Sequence, residues 1–161
     1  MLSYEGIFLG EETCKLIHSL EENSLERDIN ELHCTFKYHP SENEIFDDIV
    51  GKDFEVYLIG YGNDGNNSGF EVKLPNYLKK YYINFYYKNP EVLSMPHITT
   101  SLAKGAKAVN TKNLKFEPLE EPIKVVGKFG YWIKDKGKEY ISYEPYLRKK
   151  TEIDDDWDRG V

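Results

Sequence analysis

Two of the four histidines in this 161-residue chain are followed at the second position by a threonine, in His33-Cys34-Thr35 and His97-Ile98-Thr99. With six threonines in 161 residues, one histidine meets this arrangement by chance about 4% of the time, and two of four about 1% of the time. In a strand, residues i and i+2 share a face, so each imidazole stands beside its own hydroxyl while Cys34 and Ile98 point the other way. That set suits phosphodiester chemistry without a metal. One imidazole of near-neutral pKa takes a proton from the attacking hydroxyl or water, and a second, protonated, gives one to the leaving oxygen. The threonine hydroxyls then hold the non-bridging phosphate oxygens, which carry the charge that is rearranged in the transition state.

By the same alternation Lys37 follows His33 and Thr35, and Ser101 follows His97 and Thr99, which makes both candidate phosphate contacts. Tyr82 and Tyr86, opposite in parity to Ile83 and Phe85, and Tyr131 and Trp132 are candidate rings for stacking on a base; packing in the core is the competing role. His18 in the first helix and His39 beside Pro40 read as surface or capping residues. A zinc site from His33, His97, Cys14 and Cys34 has no paired-ligand spacing, and alternation sends Cys34 away from His33. No metal and no cofactor are therefore expected.

The elements that must position these residues read as follows. Ser3 to Leu9 is a strand, and Gly10-Glu11-Glu12-Thr13 opens a helix whose Cys14, Leu16, Ile17 and Leu20 fall on one face. Leu32 to Tyr38 alternates and stops at His39-Pro40, a strand. Ser41 to Val50 reads as a short helix with Glu44 completing a capping box on Ser41. Phe54 to Tyr61 is a strand, and the turn-rich Gly62 to Gly69 predicts a long, mobile hairpin loop able to flap over a site. Leu78 to Tyr87 reads as a strand closed by Asn89-Pro90, and His97 to Leu102 as another. Lys104 to Asn113 is a short helix or loop; Ile123 to Ile133 and Glu139 to Tyr143 pair as a hairpin. The pattern is α+β, dominated by antiparallel sheet, in one domain over residues 1–150 with an acidic tail at 151–161.

Composition sets the class. A mass of 18.8 kDa fits one domain, a mean hydropathy of -0.63 with no long apolar run argues against a membrane span, and MLSYEGIFLG lacks the features of a signal peptide. A cytoplasmic protein is expected, with Cys14 and Cys34 as reduced thiols. Lys and Arg number 21 against 28 Asp and Glu, a net charge of -7, which argues against coating long nucleic acid and leaves a small anion in a local basic pocket. The 13 tyrosines fit a strand-rich fold.

Over roughly residues 3 to 145 the chain resembles the two-histidine (2H) phosphoesterases, which carry two H-x-[ST] motifs on strands of one cleft. The matching segments are the opening strand and helix, Leu32-His33-Cys34-Thr35-Phe36, Pro96-His97-Ile98-Thr99 and the closing hairpin. The spacing of 64 positions between the histidines, with little helix there, departs from larger members. The resemblance implies a bilobal, pseudo-two-fold fold, two mainly antiparallel sheets around a central cleft with a few helices outside. It implies catalytic roles for His33, Thr35, His97 and Thr99. It also implies a small nucleotide, a cyclic oligonucleotide or a 2′,3′-cyclic phosphate as substrate, including the bacterial immune signals that phage members (the anti-CBASS nucleases) cleave. In that case the protein would act in the host cytoplasm. A module that sequesters such a signal without cleaving it, and an enzyme of short RNA ends, are the alternatives; no protein partner is implied.

Overall fold

The computed structural model describes residues 1–148, so the acidic tail at 151–161 lies outside the described residues. The expected strand-rich α+β architecture is found. Strands β1 (Leu2–Leu9), β2 (Arg27–Asp28), β3 (His33–Tyr38), β4 (Asp53–Asn63), β5 (Asn67–Lys73), β6 (Phe85–Tyr86), β7 (Asn89–Leu93), β8 (His97–Leu102), β9 (Glu117–Asp135) and β10 (Lys138–Ser142) are joined, between β1 and β10, by the α-helix α1 (Glu11–Leu20) and three 3-10 helices. Among the described residues no helix is long and apolar enough to cross a membrane.

Eight strands form one sheet in the order β1-β3-β8-β5-β4-β9-β10, with β2 beside β8, and a second pairing of β9 with β1 closes six of them into a barrel. All of these pairings are antiparallel. Two separate sheets were expected, and the 19 residues of β9 are the reason they are joined. Its first half pairs with β4, its second half with β1, and Gly127 and Lys128 pair with both. On the other side of the barrel the closure is thin: β3 meets β8 through a single register pair, Cys34 with Ile98.

Alternation fills the interior. Along β4 buried and open positions alternate without a break, so Phe54, Val56 and Leu58 enter a core that also holds Ile7, Phe36, Phe70, Ile98 and Phe129. Each such side chain contributes about 1.5–3 kcal/mol through its burial. Helix α1 adds Cys14 and Ile17 to that core, and Glu11 and Glu12 in its first turn suit the positive end of the helix dipole.

Three local expectations change. Ser41 does carry the capping box with Glu44, but the helix it caps is a single 3-10 turn, Glu42–Glu44. Leu78 to Tyr87 is not one strand: a 3-10 helix spans Asn76–Tyr81 after Pro75, and only Phe85–Tyr86 pair, in a small hairpin with β7. Leu78 and Tyr82 are buried while Lys80 between them is exposed, whereas a strand would put all three on one face. The supposed flap at 62–69 is a tight turn, because Asn67, Ser68 and Gly69 belong to β5 and are buried. Asp64 closes that turn by accepting the N–H groups of Asn66 (2.9 Å) and Asn67 (2.8 Å).

Candidate active site at the β3–β8 seam

Cys34 and Ile98, the paired residues of the seam, are buried in the core. Their neighbours in each strand therefore turn to the other face, which gathers His33, Thr35, His97 and Thr99 on the outside of the barrel. The two strands build their motifs alike. Each imidazole is half-buried and its Nδ1 faces the backbone carbonyl two residues earlier, Glu31 for His33 (3.1 Å) and Met95 for His97 (2.7 Å). A carbonyl only accepts, so Nδ1 carries the proton and donates it. Nε2 is then the nitrogen left for chemistry in both rings.

Each threonine faces a glycine across its outer neighbour strand, Thr35 opposite Gly6 and Thr99 opposite Gly69. A Cβ on Gly6 would stand 2.2 Å from the carbonyl oxygen of Cys34, and one on Gly69 would stand 2.5 Å from that of Ile98. Glycine is what lets the strands approach here. One residue beyond each threonine the strand then carries a β-bulge, at Phe36 and at Thr100. A bulge reverses the side-chain alternation that follows it.

That reversal decides the fate of Ser101. It is fully buried away from the histidines, accepting the N–H of Leu25 (3.0 Å) and donating to the Glu21 carboxylate (3.1 Å). Lys37 lies opposite Glu5 in the backbone register of β1, and it lines a pocket of about 250 Å³ with His97, Phe85 and Lys112. Glu44 stands 3.9 Å from the Lys37 ammonium. Tyr82 is in the core, its hydroxyl 2.9 Å from that of Ser94 and its ring edge-on to Phe36. Tyr131 is also fully buried and donates to Asp47 (2.5 Å). Tyr86 stays at the surface beside the pocket, its hydroxyl donating to the Lys112 carbonyl (3.2 Å). Trp132 stacks on Tyr4 at 5.8 Å, and Tyr4 in turn stacks on His33 at 4.8 Å.

Tyr4, Phe8, Thr111 and Lys112 escaped the sequence reading. Tyr4 and Phe8 lie on one face of β1, four residues apart, and their rings border His33, Phe8 at 5.6 Å. That period was visible, though nothing in it singles out a site. Thr111, in the 3-10 helix Ala108–Asn113, accepts the hydroxyl of Thr99 (2.8 Å) and is fixed by the side-chain amide of Asn67 (3.0 Å). No hydrogen bond ties the Thr35 hydroxyl among the described residues, which leaves it free to donate to a ligand.

The electrostatics favour neutral rings in the free protein. Burial holds the His33 imidazole below its ordinary range; the Glu31 carbonyl opposes this and the nearby His97 adds to it. Burial does the same to His97, against the pull of the Met95 carbonyl, and the Lys112 ammonium lowers it further. Two imidazoles whose charged forms burial disfavours, with no hydrogen bond to either Nε2 among the described residues, one unengaged hydroxyl and one hydroxyl in a relay can accept and return protons around a bound anion. No protein-family model matches the chain, and no curated protein matches it.

Proposed function

We propose that the protein is a metal-independent phosphodiesterase of the 2H type, acting in the cytoplasm (a host's, if the enzyme is viral) on a small cyclic nucleotide, a cyclic oligonucleotide or a 2′,3′-cyclic phosphate. The observation that carries this reading is the duplicated construction of the two motifs: the same Nδ1 tether, facing glycine and bulge, with both Nε2 atoms free on one face. The same duplication supports reading the barrel as two related lobes, β1 and β3 with the end of β9, and β5 and β8 with β4.

In this reading the scissile phosphate lies over the seam. His97 Nε2 takes the proton of the attacking ribose hydroxyl or water as the new P–O bond forms. His33, protonated, gives its Nε2 proton to the leaving oxygen as the old P–O bond breaks. Exchange with solvent resets the pair. The direction follows from the neighbours, since an imidazolium is favoured over the faces of Tyr4 and Phe8 and disfavoured beside Lys112. Thr35 and Thr99 donate to the non-bridging oxygens, Thr99 by turning from Thr111.

Product analysis of EDTA-treated protein tests it, with 2′,3′-cyclic mononucleotides, cyclic di- and trinucleotides and ADP-ribose cyclic phosphate, beside His33→Ala/His97→Ala. Cleavage of one class by the wild type alone is expected. Activity that needs a divalent metal, or that survives in the double variant, overturns the reading. One observation favours a second reading, sequestration without cleavage: burial lowers the pKa of both imidazoles and so disfavours the charged form that a general acid needs. Tight binding with no product after long incubation would select it.

A further inference from the structure

The pocket beside His97 opens past the 3-10 helix Ala108–Asn113 into a groove of about 660 Å³, bounded by Tyr86, Lys88, Lys107, Asn110 and Asn113. Lys112 and Tyr87 belong to both. Although the chain has 28 acidic and 21 basic residues, among the described residues no carboxylate lines either hollow, whereas Lys37, Lys88, Lys107 and Lys112 do. Lys15, Lys124, Lys128 and Lys134 each have a carboxylate within 3.7 Å. Among the described residues the ammonium groups of Lys88, Lys107 and Lys112 have none within ion-pair distance. Lys112 lies instead over the rings of Tyr86 (5.5 Å) and Tyr87 (6.0 Å).

Unpaired cations interleaved with exposed rings are the arrangement that follows a single-stranded phosphate backbone while its bases stack. The size lies within the range of about 300–1,000 Å³ that holds a whole small ligand. One scissile phosphate over the seam does not fill it. We infer that this groove is a subsite for the next phosphate and base of the substrate, so that the preferred substrate is a short or cyclic oligonucleotide with at least one phosphate besides the one cleaved. A nucleoside 2′,3′-cyclic monophosphate would leave it empty. The inference rests on the reading of the seam as the scissile-phosphate site.

Lys88 and Lys107 are exposed, so Lys88→Gln/Lys107→Gln tests the groove without disturbing the fold. Cleavage of a nucleoside 2′,3′-cyclic monophosphate and of a cyclic trinucleotide of the same base is measured on this variant and the wild type. Binding of the trinucleotide to His33→Ala/His97→Ala, with and without the lysine changes, is followed across salt concentrations. The expected result is a KM for the trinucleotide about ten-fold higher, a much smaller change for the mononucleotide, and a salt slope reduced by about 0.7 for each lysine removed. Normal cleavage with wild-type KM values and an unchanged slope overturns the groove and leaves the proposed catalysis standing. Lysine-dependent binding with no cleavage by the wild type does the reverse. Absence of trinucleotide binding overturns the groove.

Discussion

His33 and His97 are held by the same carbonyl tether, followed by the same threonine and bulge, and set beside the same kind of glycine, yet their surroundings differ. Across its strand His33 faces Phe8 and His97 faces Glu71; His33 sits under stacked rings and His97 next to the Lys112 ammonium. Thr35 has an unengaged hydroxyl, while that of Thr99 is part of a chain running through Thr111 to Asn67. Glu5 and Ser68, which occupy matching positions immediately before the glycines, differ most. Ser68 bonds with Glu21, Tyr61 and Thr100, whereas among the described residues neither buried Glu5 oxygen has a side-chain hydrogen-bond partner. A common backbone device positions two identical groups, and the neighbours then give them unequal jobs.

The largest break in this comparison comes from the hydroxyls. Thr35→Val and Thr99→Val should each lower kcat about 10²-fold or more, as loss of a transition-state donor does. Only Thr99→Val should also lose stability, about 0.5–1.5 kcal/mol for its bond to Thr111. Parallel rate and melting measurements check both; equal melting temperatures would remove the asymmetry.

Gly6→Ala and Gly69→Ala test the shared device. The new methyl must displace a backbone carbonyl in either case, so each should cost about 1–3 kcal/mol or more, as overpacking does. If one were tolerated without loss in a denaturant titration, the two strands would not be built alike.

Lys112→Gln should move one limb of the pH–rate profile. Removing a cation raises the His97 pKa, so the acidic limb, which reports the base losing its proton, shifts to higher pH while the alkaline limb stays. Movement of the alkaline limb instead would exchange the two roles.

The smallest expected effect concerns Glu5, whose carboxyl burial pushes up to about 8, against the pull of the Phe46 N–H. Its folded pKa lies above the unfolded one, so its contribution to stability is full below about 4.5 and is lost as pH rises towards 8. Glu5→Met should raise the melting temperature most at pH 8 and least at pH 5. A loss at both would show that the carboxyl has a partner in solution.

Alternation alone placed His33, Thr35, His97 and Thr99 on one face, because the strands stay regular up to each threonine. It failed at Ser101 because a bulge precedes it at Thr100, and a bulge has no composition signal of its own; Lys37 lies beyond the matching bulge at Phe36 and still lines the pocket with His97. The aromatic run Leu78 to Tyr87 looked like a strand since its rings suit one, but Pro75 opens a 3-10 helix, and the exposed pair Lys79 and Lys80 between buried Leu78 and Tyr82 breaks the alternation a strand needs. Barrel closure depends on which strands β9 meets, and the lysine groove on residues from two separate segments, 88 and 107–112. Neither is local in sequence.

The most direct test of the paired-histidine account is a double-mutant cycle on kcat/KM with His33→Ala, His97→Ala and the double variant. If the two imidazoles act as acid and base in one step, each single change should cost about 10²–10⁴-fold, and the double variant should be little worse than the poorer single one. Independent costs that multiply in the double variant, or a single variant of wild-type activity, would contradict the claim that the two strands form one catalytic unit.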